Sequence, residues 1–242
     1  MSEWQILRVE ETDSTNTALK RMASDGAPDG TVLIADRQHG GHGRMGRAFY
    51  SPQGGLYMSV LLRRPLGEGI SPLWTVAAAV AAAEGCEGLC GRTVGIKWVN
   101  DLFLDGRKVC GILAEGVTVG DTACIVVGFG VNITPPADGF AAEIADVAGA
   151  LCETAPPAAR DRLAADILAR FAAYTADLSA RTFLEGYRSR SILNGQTVTF
   201  YERGEAHTAR VCGVDDNGGL IVDEAGVCRV LTAGEVTTHR ET

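Results

Sequence analysis

Several features that would narrow the function quickly are missing from this sequence. It has no apolar run long enough to cross a bilayer. The longest, "LWTVAAAVAAA" (Leu73 to Ala83), is mostly alanine and suits a buried helix. The first residues, "MSEWQILRVEETDS", have neither the basic start nor the apolar core of a signal peptide. A basic excess is absent too: 22 Lys and Arg face 30 Asp and Glu, a formal charge of −8, which argues against a general nucleic-acid binder. There is no CxxC pair. The seven cysteines are scattered, odd in number and mostly inside apolar segments. They read as small buried thiols in a reducing cytoplasm rather than as a zinc site or a disulfide framework. What is present, 46% hydrophobic and 21% charged residues in 242, fits a soluble globular protein with one substantial domain and room for a small second one. A cytoplasmic location with no membrane contact is the expectation.

The pattern along the chain predicts a mixture of helices and strands. "ETDSTNTALKRMASDG" reads as a short capped helix beginning near Asp13 to Thr15 and ending before Gly26. "GTVLIADRQ" and "GGLYMSVLLRR" read as strands, and Ser71-Pro72 opens the alanine-rich helix with proline at its first position. "TVGIKWVNDLFLDGRKVCGILAEG" reads as strand, Asp105-Gly106 turn and strand, and "DTACIVVGFGVNI" as a further strand. A helical stretch is expected from about Phe140 to Arg190, broken at Pro156-Pro157, because Leu163, Ile167, Leu168, Phe171 and Tyr174 recur at helical spacing. After Asn194-Gly195 about five short strands separated by glycine-containing turns predict a small β-barrel. The fold class is therefore α+β, with residues 1–191 forming one domain and residues 192–242 a second.

The segment "HGGHGRMGRAFYSP" (His39 to Pro52) carries Gly41-x-Gly43-x-x-Gly46, the spacing of a dinucleotide-binding turn. Its context excludes that reading. Pro52 and Gly54-Gly55 stand where the helix should run, and no acidic residue follows until Glu68. No Gly-Lys-Ser/Thr follows, which excludes a Walker A loop. His39 and His42 have no nearby Cys, Asp or Glu to complete a metal site. Two readings remain: a flexible surface loop with solvated arginines, or a mobile cationic lid over an anionic ligand. For the lid, glycine allows close backbone approach and arginine gives bidentate contacts. The second is favoured by the local charge, since Arg37 to Gly67 holds five arginines and no acid.

"KWVND" (Lys97 to Asp101) and "GRKVCGILAE" (Gly106 to Glu115) fall on the two arms of the expected hairpin. Taken singly their charges are ordinary strand-end residues. Together, Asp101 could hold Mg²⁺ while Lys97 and Lys108 face anionic oxygens, an arrangement suited to nucleotidyl transfer to a carboxylate.

Six segments in order, "DSTN", "RQHGGHGRMGR", "SPQGGLYMS", "KWVNDL", "GRKVCGILAE" and "VGFGVNI", give the chain a resemblance to biotin–protein ligases over about its first 135 residues. The C-terminal β-segment resembles the SH3-like cap of that family. The resemblance implies a mixed-sheet catalytic domain of the biotin/lipoate ligase type. It also implies ATP-dependent biotinylation of a carboxylase carrier-domain lysine through biotinyl-5′-AMP, with Mg²⁺ accompanying ATP. It further implies that Ser14, Thr15, Asn16, Gln38, His42, Gly43, Arg44, Lys108 and Gly111 surround biotin. Arg44, Arg47, Phe49, Lys97 and Asn132 would face ATP or the adenylate. Lys108, Arg44 and Asp101 would carry the chemistry, and Asp101 would also hold the metal. No tightly bound cofactor is implied, and pairing into a homodimer through sheet edges is allowed.

Three positions depart from the family pattern. His42 stands where the usual loop has an arginine, Phe49 where many members have tryptophan, and Val99 where the K-W-P-N-D motif has proline. None removes a group that the chemistry requires. Ser14 lies so near the start that no DNA-binding module of the repressor-type members is expected before it. The rival readings are a lipoate or octanoate ligase of the same fold and a non-catalytic biotin-binding module.

Overall fold

A computed structural model describes residues 4–66 and 71–238, which build a seven-stranded mixed sheet and a five-stranded antiparallel one. The first sheet contains β1 (Gln5–Thr12), β2 (Thr31–Gln38), β3 (Leu56–Pro65), β4 (Gly95–Lys97), β5 (Asp101–Leu104), β6 (Arg107–Val119) and β7 (Thr122–Val131). Their order is β1-β2-β3-β7-β6-β5-β4. Only β1 and β2 run parallel. Strand alternation sends successive side chains to opposite faces. Leu33, Leu61, Cys124 and Val126 therefore pack with Leu19 and Ala23 of helix α1 (Thr15–Ser24). Val32, Ile34, Val60, Ile125 and Val127 face the larger core on the other side. That core is filled by α2 (Leu73–Cys90), α3 (Ala159–Thr175) and α4 (Leu184–Arg190).

Helix α2 is apolar from Val76 to Ala83 because that stretch is covered on every side. By length and composition alone it could cross a membrane, yet Val76 to Ala83 are fully buried between the sheet and helices α3 and α4. Its first helical residue is Leu73, one place after Pro72. Asp105 and Gly106 both have positive φ, 50° and 75°, as a two-residue hairpin turn requires.

Two stretches differ from the sequence expectation, and a third had none. Gln5–Thr12 is a strand whose alternation is hard to read. It lies at the sheet edge with both faces largely open, so Ile6, Leu7 and Val9 remain exposed. The first hairpin arm is not continuous: "KWVND" folds back as the turn between β4 and β5, and its Trp98–Val99 peptide is cis. Residues 140–158 contain no α-helix, although they are rich in alanine. Their backbone is claimed by the sheet: Lys108 donates to Val147 O at 2.7 Å, Gly149 to Lys108 O at 2.8 Å, and Leu151 to Asn132 O at 3.0 Å. Tertiary hydrogen bonds here override a weak propensity. The cysteines divide as well. Cys86, Cys110 and Cys124 are buried, whereas Cys212 and Cys228 are exposed.

The second sheet comprises β8 (Thr197–Glu202), β9 (Glu205–Val214), β10 (Leu220–Glu224), β11 (Val227–Leu231) and β12 (Val236–Thr238), in the order β11-β10-β9-β8-β12. Its inward residues Val198, Phe200, Val211, Leu220 and Val222 join the same core as α2. Docking is specific. Trp98 Nε1 donates to Gly218 O at 2.9 Å, and Arg188 holds Val214 O at 2.9 Å and Asp216 at 2.6 Å. A Cβ on Gly218 would lie 2.8 Å from Val76 of α2, so this turn is pressed directly on the helix.

Trp98→Phe removes that donor and leaves a buried carbonyl unpaired. The expected cost is about 1–3 kcal/mol. Urea denaturation should show it as a lower midpoint with an unchanged slope, and an unchanged midpoint would refute the role given to this bond.

Candidate active site

The segment Asp13 to Asn16 turns the chain from β1 into α1 and points its polar groups at the sheet. Asp13 accepts from Ser14 N at 2.8 Å and from the Arg21 guanidinium at 2.8 and 3.0 Å. Arg21 thereby holds its carboxyl well below the usual carboxylate range. Ser14 caps the helix through Thr17 N. Thr15 N donates to Gln38 Oε1 at 2.7 Å, and Gln38 Nε2 donates to Ser51 Oγ at 2.9 Å. Asn16 Nδ2 donates to Leu113 O at 3.2 Å and to Glu115 Oε2 at 2.9 Å, while buried Ser59 donates to Asn16 Oδ1 at 2.6 Å. Ser14, Thr15 and Asn16 are all buried, so this is an uncharged hydrogen-bonding corner with fixed side-chain orientations.

The glycine-rich loop folds back on itself as a small irregular hairpin. Gln38 bridges Ser51, His42 bridges Ala48, and Gly43 N donates to Arg47 O at 2.7 Å. A single 3₁₀ turn spans Arg44–Gly46, with Met45 at its tip 80% exposed. The returning arm lays the Phe49 ring on the sheet. A Cβ at Gly111 would lie 3.1 Å from that ring and one at Gly130 only 2.6 Å, and these two glycines are partners in the β6–β7 register. Bare backbone at both positions makes the seat for the aromatic. Gly128 plays the same part for Asn16, whose Oδ1 would be 2.2 Å from an added Cβ.

Lys108 and Asp101 come from adjacent strands and form an ion pair at 2.7 Å. The turn that delivers Asp101 is tied on three sides. Tyr187 donates to Val99 O at 3.0 Å, Asn100 Nδ2 donates to Ile112 O at 2.8 Å, and Trp98 holds Gly218. Burial pushes the Tyr187 hydroxyl and the neighbouring Cys110 thiol far above their ordinary ranges, so both stay protonated.

These elements enclose one cleft of about 730 Å³, open mouth included. Of the residues expected from sequence, it brings together Ser14, Thr15, Asn16, Gln38, His42, Gly43, Arg44, Arg47, Phe49, Asp101, Lys108 and Gly111. Lys97 and Asn132 lie outside its lining. The Lys97 ammonium sits 6.0 Å over the Phe103 ring, because Lys97 ends β4 opposite Asp101 and Phe103 lies two residues further along β5 on the same face. The Asn132 amide is engaged by Gly149 O at 2.9 Å, where it supports the segment paired with Lys108. Sequence reasoning missed Asn100 and Glu235, both of which line the cleft. Glu235 arrives from the turn before β12 and pairs with Arg47. No local signal marks it, since its role exists only once the second sheet is docked.

Comparison with known proteins agrees with this geometry. The "Biotin/lipoate A/B protein ligase family" matches residues 9–132. The bifunctional ligase/repressor BirA of Bacillus spizizenii is 32% identical over 238 residues, which cover 91% of this chain and 70% of that protein. The chain spans less than half of the BirA of Bacillus subtilis, 44%, at 36% identity over 59% of its own length. A biotin–[acetyl-CoA-carboxylase] ligase of Mycobacterium tuberculosis is 31% identical, with 99% of this chain and 91% of that protein aligned. Among solved structures, the biotin protein ligase from Aquifex aeolicus in complex with biotin and ATP superposes with a TM-score of 0.83 at 26% identity, covering 98% of this chain and 99% of the other. The chain belongs to the biotin/lipoate A/B protein ligase family.

Proposed function

We propose that the chain is an ATP-dependent biotin–protein ligase. It activates biotin as biotinyl-5′-AMP and transfers it to a lysine on the biotinyl carrier domain of a biotin-dependent carboxylase. The observation that carries this reading is the polarity of the cleft. An uncharged hydrogen-bonding corner, Thr15, Asn16 and Gln38, shares one space with the cations Lys108 and Arg44. Biotin has the matching halves, a ureido ring and a carboxylate. A lipoyl or octanoyl chain offers no hydrogen-bonding head. It would gain no polar contact from that corner, a basis for weaker binding.

In the first step a biotin carboxylate oxygen forms a bond to the α-phosphorus of ATP, and the bond to the departing pyrophosphate breaks. Lys108 and Arg44 offset the negative charge that gathers between the two anions. Arg47 and Phe49, on the same folded loop, face the adenylate. Lys97 and Asn132 act from outside this cleft, the latter by holding the segment beside Lys108. In the second step the carrier lysine amine bonds to the acyl carbon and AMP leaves. The Phe49 ring on its glycine seat keeps water from the anhydride.

Mg²⁺ would arrive with the nucleotide. Asp101 is the cleft carboxylate suited to share it. Mg²⁺ takes most of its ligands from phosphates and water, so one protein carboxylate suits it. Once bound it would offset phosphate charge. Residues 1–191 form the catalytic unit, and residues 192–242, whose last four lie outside the described residues, close it through Glu235. We place the reaction in the cytoplasm.

The decisive measurement is mass spectrometry of a carrier domain incubated with the chain, ATP, Mg²⁺ and biotin. A gain of one biotinyl group is expected, with none from lipoate or octanoate; the reverse preference would replace the reading. Lys108→Ala should lower the rate of adenylate formation by about 10²–10³-fold, as for other groups that meet developing charge. Arg44→Gly should release the adenylate into solution before transfer. Wild-type rates in both variants would remove these residues from the chemistry. Gly128→Ala drives a Cβ into the Asn16 amide. It should raise KM for biotin by roughly tenfold and leave kcat closer to wild type, the pattern of lost uniform binding.

A further inference from the structure

The polar corner of the cleft contains a row of four oxygens with too few protons between them. Asn16 Oδ1 lies 2.6 Å from Ser59 Oγ, Ser59 Oγ lies 2.7 Å from Thr15 Oγ1, and Thr15 Oγ1 lies 3.1 Å from Gln38 Oε1. Ser59 comes from β3 and is fully buried, and Thr15 and Asn16 are nearly so, which keeps bulk water from the row. Thr15, Asn16 and Gln38 line the cleft, whereas Ser59 does not.

The two ends of the row are fixed as acceptors. Asn16 Nδ2 donates to Leu113 O at 3.2 Å and to Glu115 Oε2 at 2.9 Å. Turning the amide over would set Oδ1 against a carbonyl and a carboxylate. That carboxylate is ionised: burial raises its carboxyl, but the Lys20 ammonium and the Asn16 amide outweigh burial and hold it below the usual range. At the other end Gln38 Oε1 accepts from Thr15 N at 2.7 Å, while Gln38 Nε2 donates to Ser51 Oγ at 2.9 Å. Turning that amide over would bring two donors together at Thr15 N. An amide oxygen brings no proton, and each hydroxyl brings one. Three contacts therefore share two protons.

The two short contacts take them. At 2.6 and 2.7 Å an oxygen pair without a proton is repulsive, and both distances are those of O–H···O bonds. Thr15 thus donates to Ser59 and Ser59 to Asn16, and the 3.1 Å contact between Thr15 and Gln38 is left without a proton. Without the Ser59 hydroxyl that shortage would disappear, because Thr15 would give its one proton to Gln38.

We propose that Ser59 is a positioning residue that sets specificity: it leaves the row one proton short where Thr15 meets Gln38, so that the cleft selects a ligand head bringing an N–H donor to that contact. This deepens the proposed biotin-ligase function and rests on it. The ureido ring supplies such an N–H. A ring with oxygen in its place would add a lone pair where lone pairs already face each other.

The test is carrier biotinylation with biotin and with two analogues of its shape, each carrying a ring oxygen in place of one ureido N–H. Wild type is expected to favour biotin over one of them by roughly tenfold in kcat/KM, the worth of about one hydrogen bond. In Ser59→Ala that preference should fall by about threefold or more, and the loss should appear in KM for biotin rather than in kcat. Thr15→Val should lose the preference as well, and Ser59→Ala should add nothing further in its background. If Ser59→Ala fails to fold, Ser59→Cys decides in its place, because a thiol is a weak donor and acceptor and should narrow the preference in the same direction. A folded Ser59→Ala that is less stable yet keeps the full preference would mark a merely structural residue and overturn the proposal, as would a wild type indifferent to both analogues. Failure of wild type to transfer biotin at all would overturn the ligase reading as well. Transfer without a preference that depends on Ser59 overturns only this inference.

Discussion

The site depends on a stretch of sheet with no side chains on it. Gly128 and Gly130 on β7, with Gly111 opposite on β6, leave the backbone bare where two other elements must touch it. Asn16 descends from α1 onto Gly128, and Phe49 descends from the loop onto Gly111 and Gly130. Both approaches are closer than any Cβ would permit, and β-strands otherwise disfavour glycine. The loss of strand stability is accepted here because the polar corner and the aromatic cover can then lie at the same depth. The rest of the arrangement follows from that depth. Asn16 at that height meets Leu113 O and Glu115, and the loop that carries Phe49 must turn at His42 to reach it.

Charge around the cleft is distributed with similar economy. Lys108 is held by Asp101 and Arg47 by Glu235, each pair joining separate elements. Among the described residues no carboxylate lies within ion-pair distance of Arg44. An incoming anion therefore meets one guanidinium that need not exchange a partner, and two cations whose partners can share them. Uncharged hydrogen-bonding groups occupy the opposite corner.

Much of this was readable in the sequence where the cause is local. "DSTN" predicted a helix start and is one, because the Ser14 cap and the Asp13 turn form within a few residues of each other. Asp105-Gly106 predicted its hairpin for the same reason. The failures are long-range. The alanine-rich 140–158 segment looks helical, but its carbonyls and amides pair with β6 and β7. Lys97 was expected to face anionic oxygens together with Lys108, but it ends β4 with its ammonium over Phe103 and lies outside the cleft lining. Gln5–Thr12 carries no legible alternation because an edge strand open on both faces needs none. Of the twelve expected residues that line the cleft, eleven nevertheless fall in the six ordered motifs, and Phe49 falls between two of them.

The position of the second sheet shows why local reading could not find Glu235. The sheet is fixed by Trp98 at Gly218, and Trp98 lies in the same turn that presents Asp101. A displacement of the C-terminal sheet would therefore act at two points of the cleft together: on Asp101 through Trp98, and on the loop through Glu235 and Arg47. One contact reaches the turn that carries Asp101, the partner of Lys108, and the other reaches the loop that carries Arg44. In the proposed reaction two bound anions meet between these elements, and proximity of this kind is a large share of what an enzyme contributes to a transfer between bound substrates. The small sheet is thus tied by polar contacts to both parts of the proposed site, in addition to the apolar residues it adds to the core.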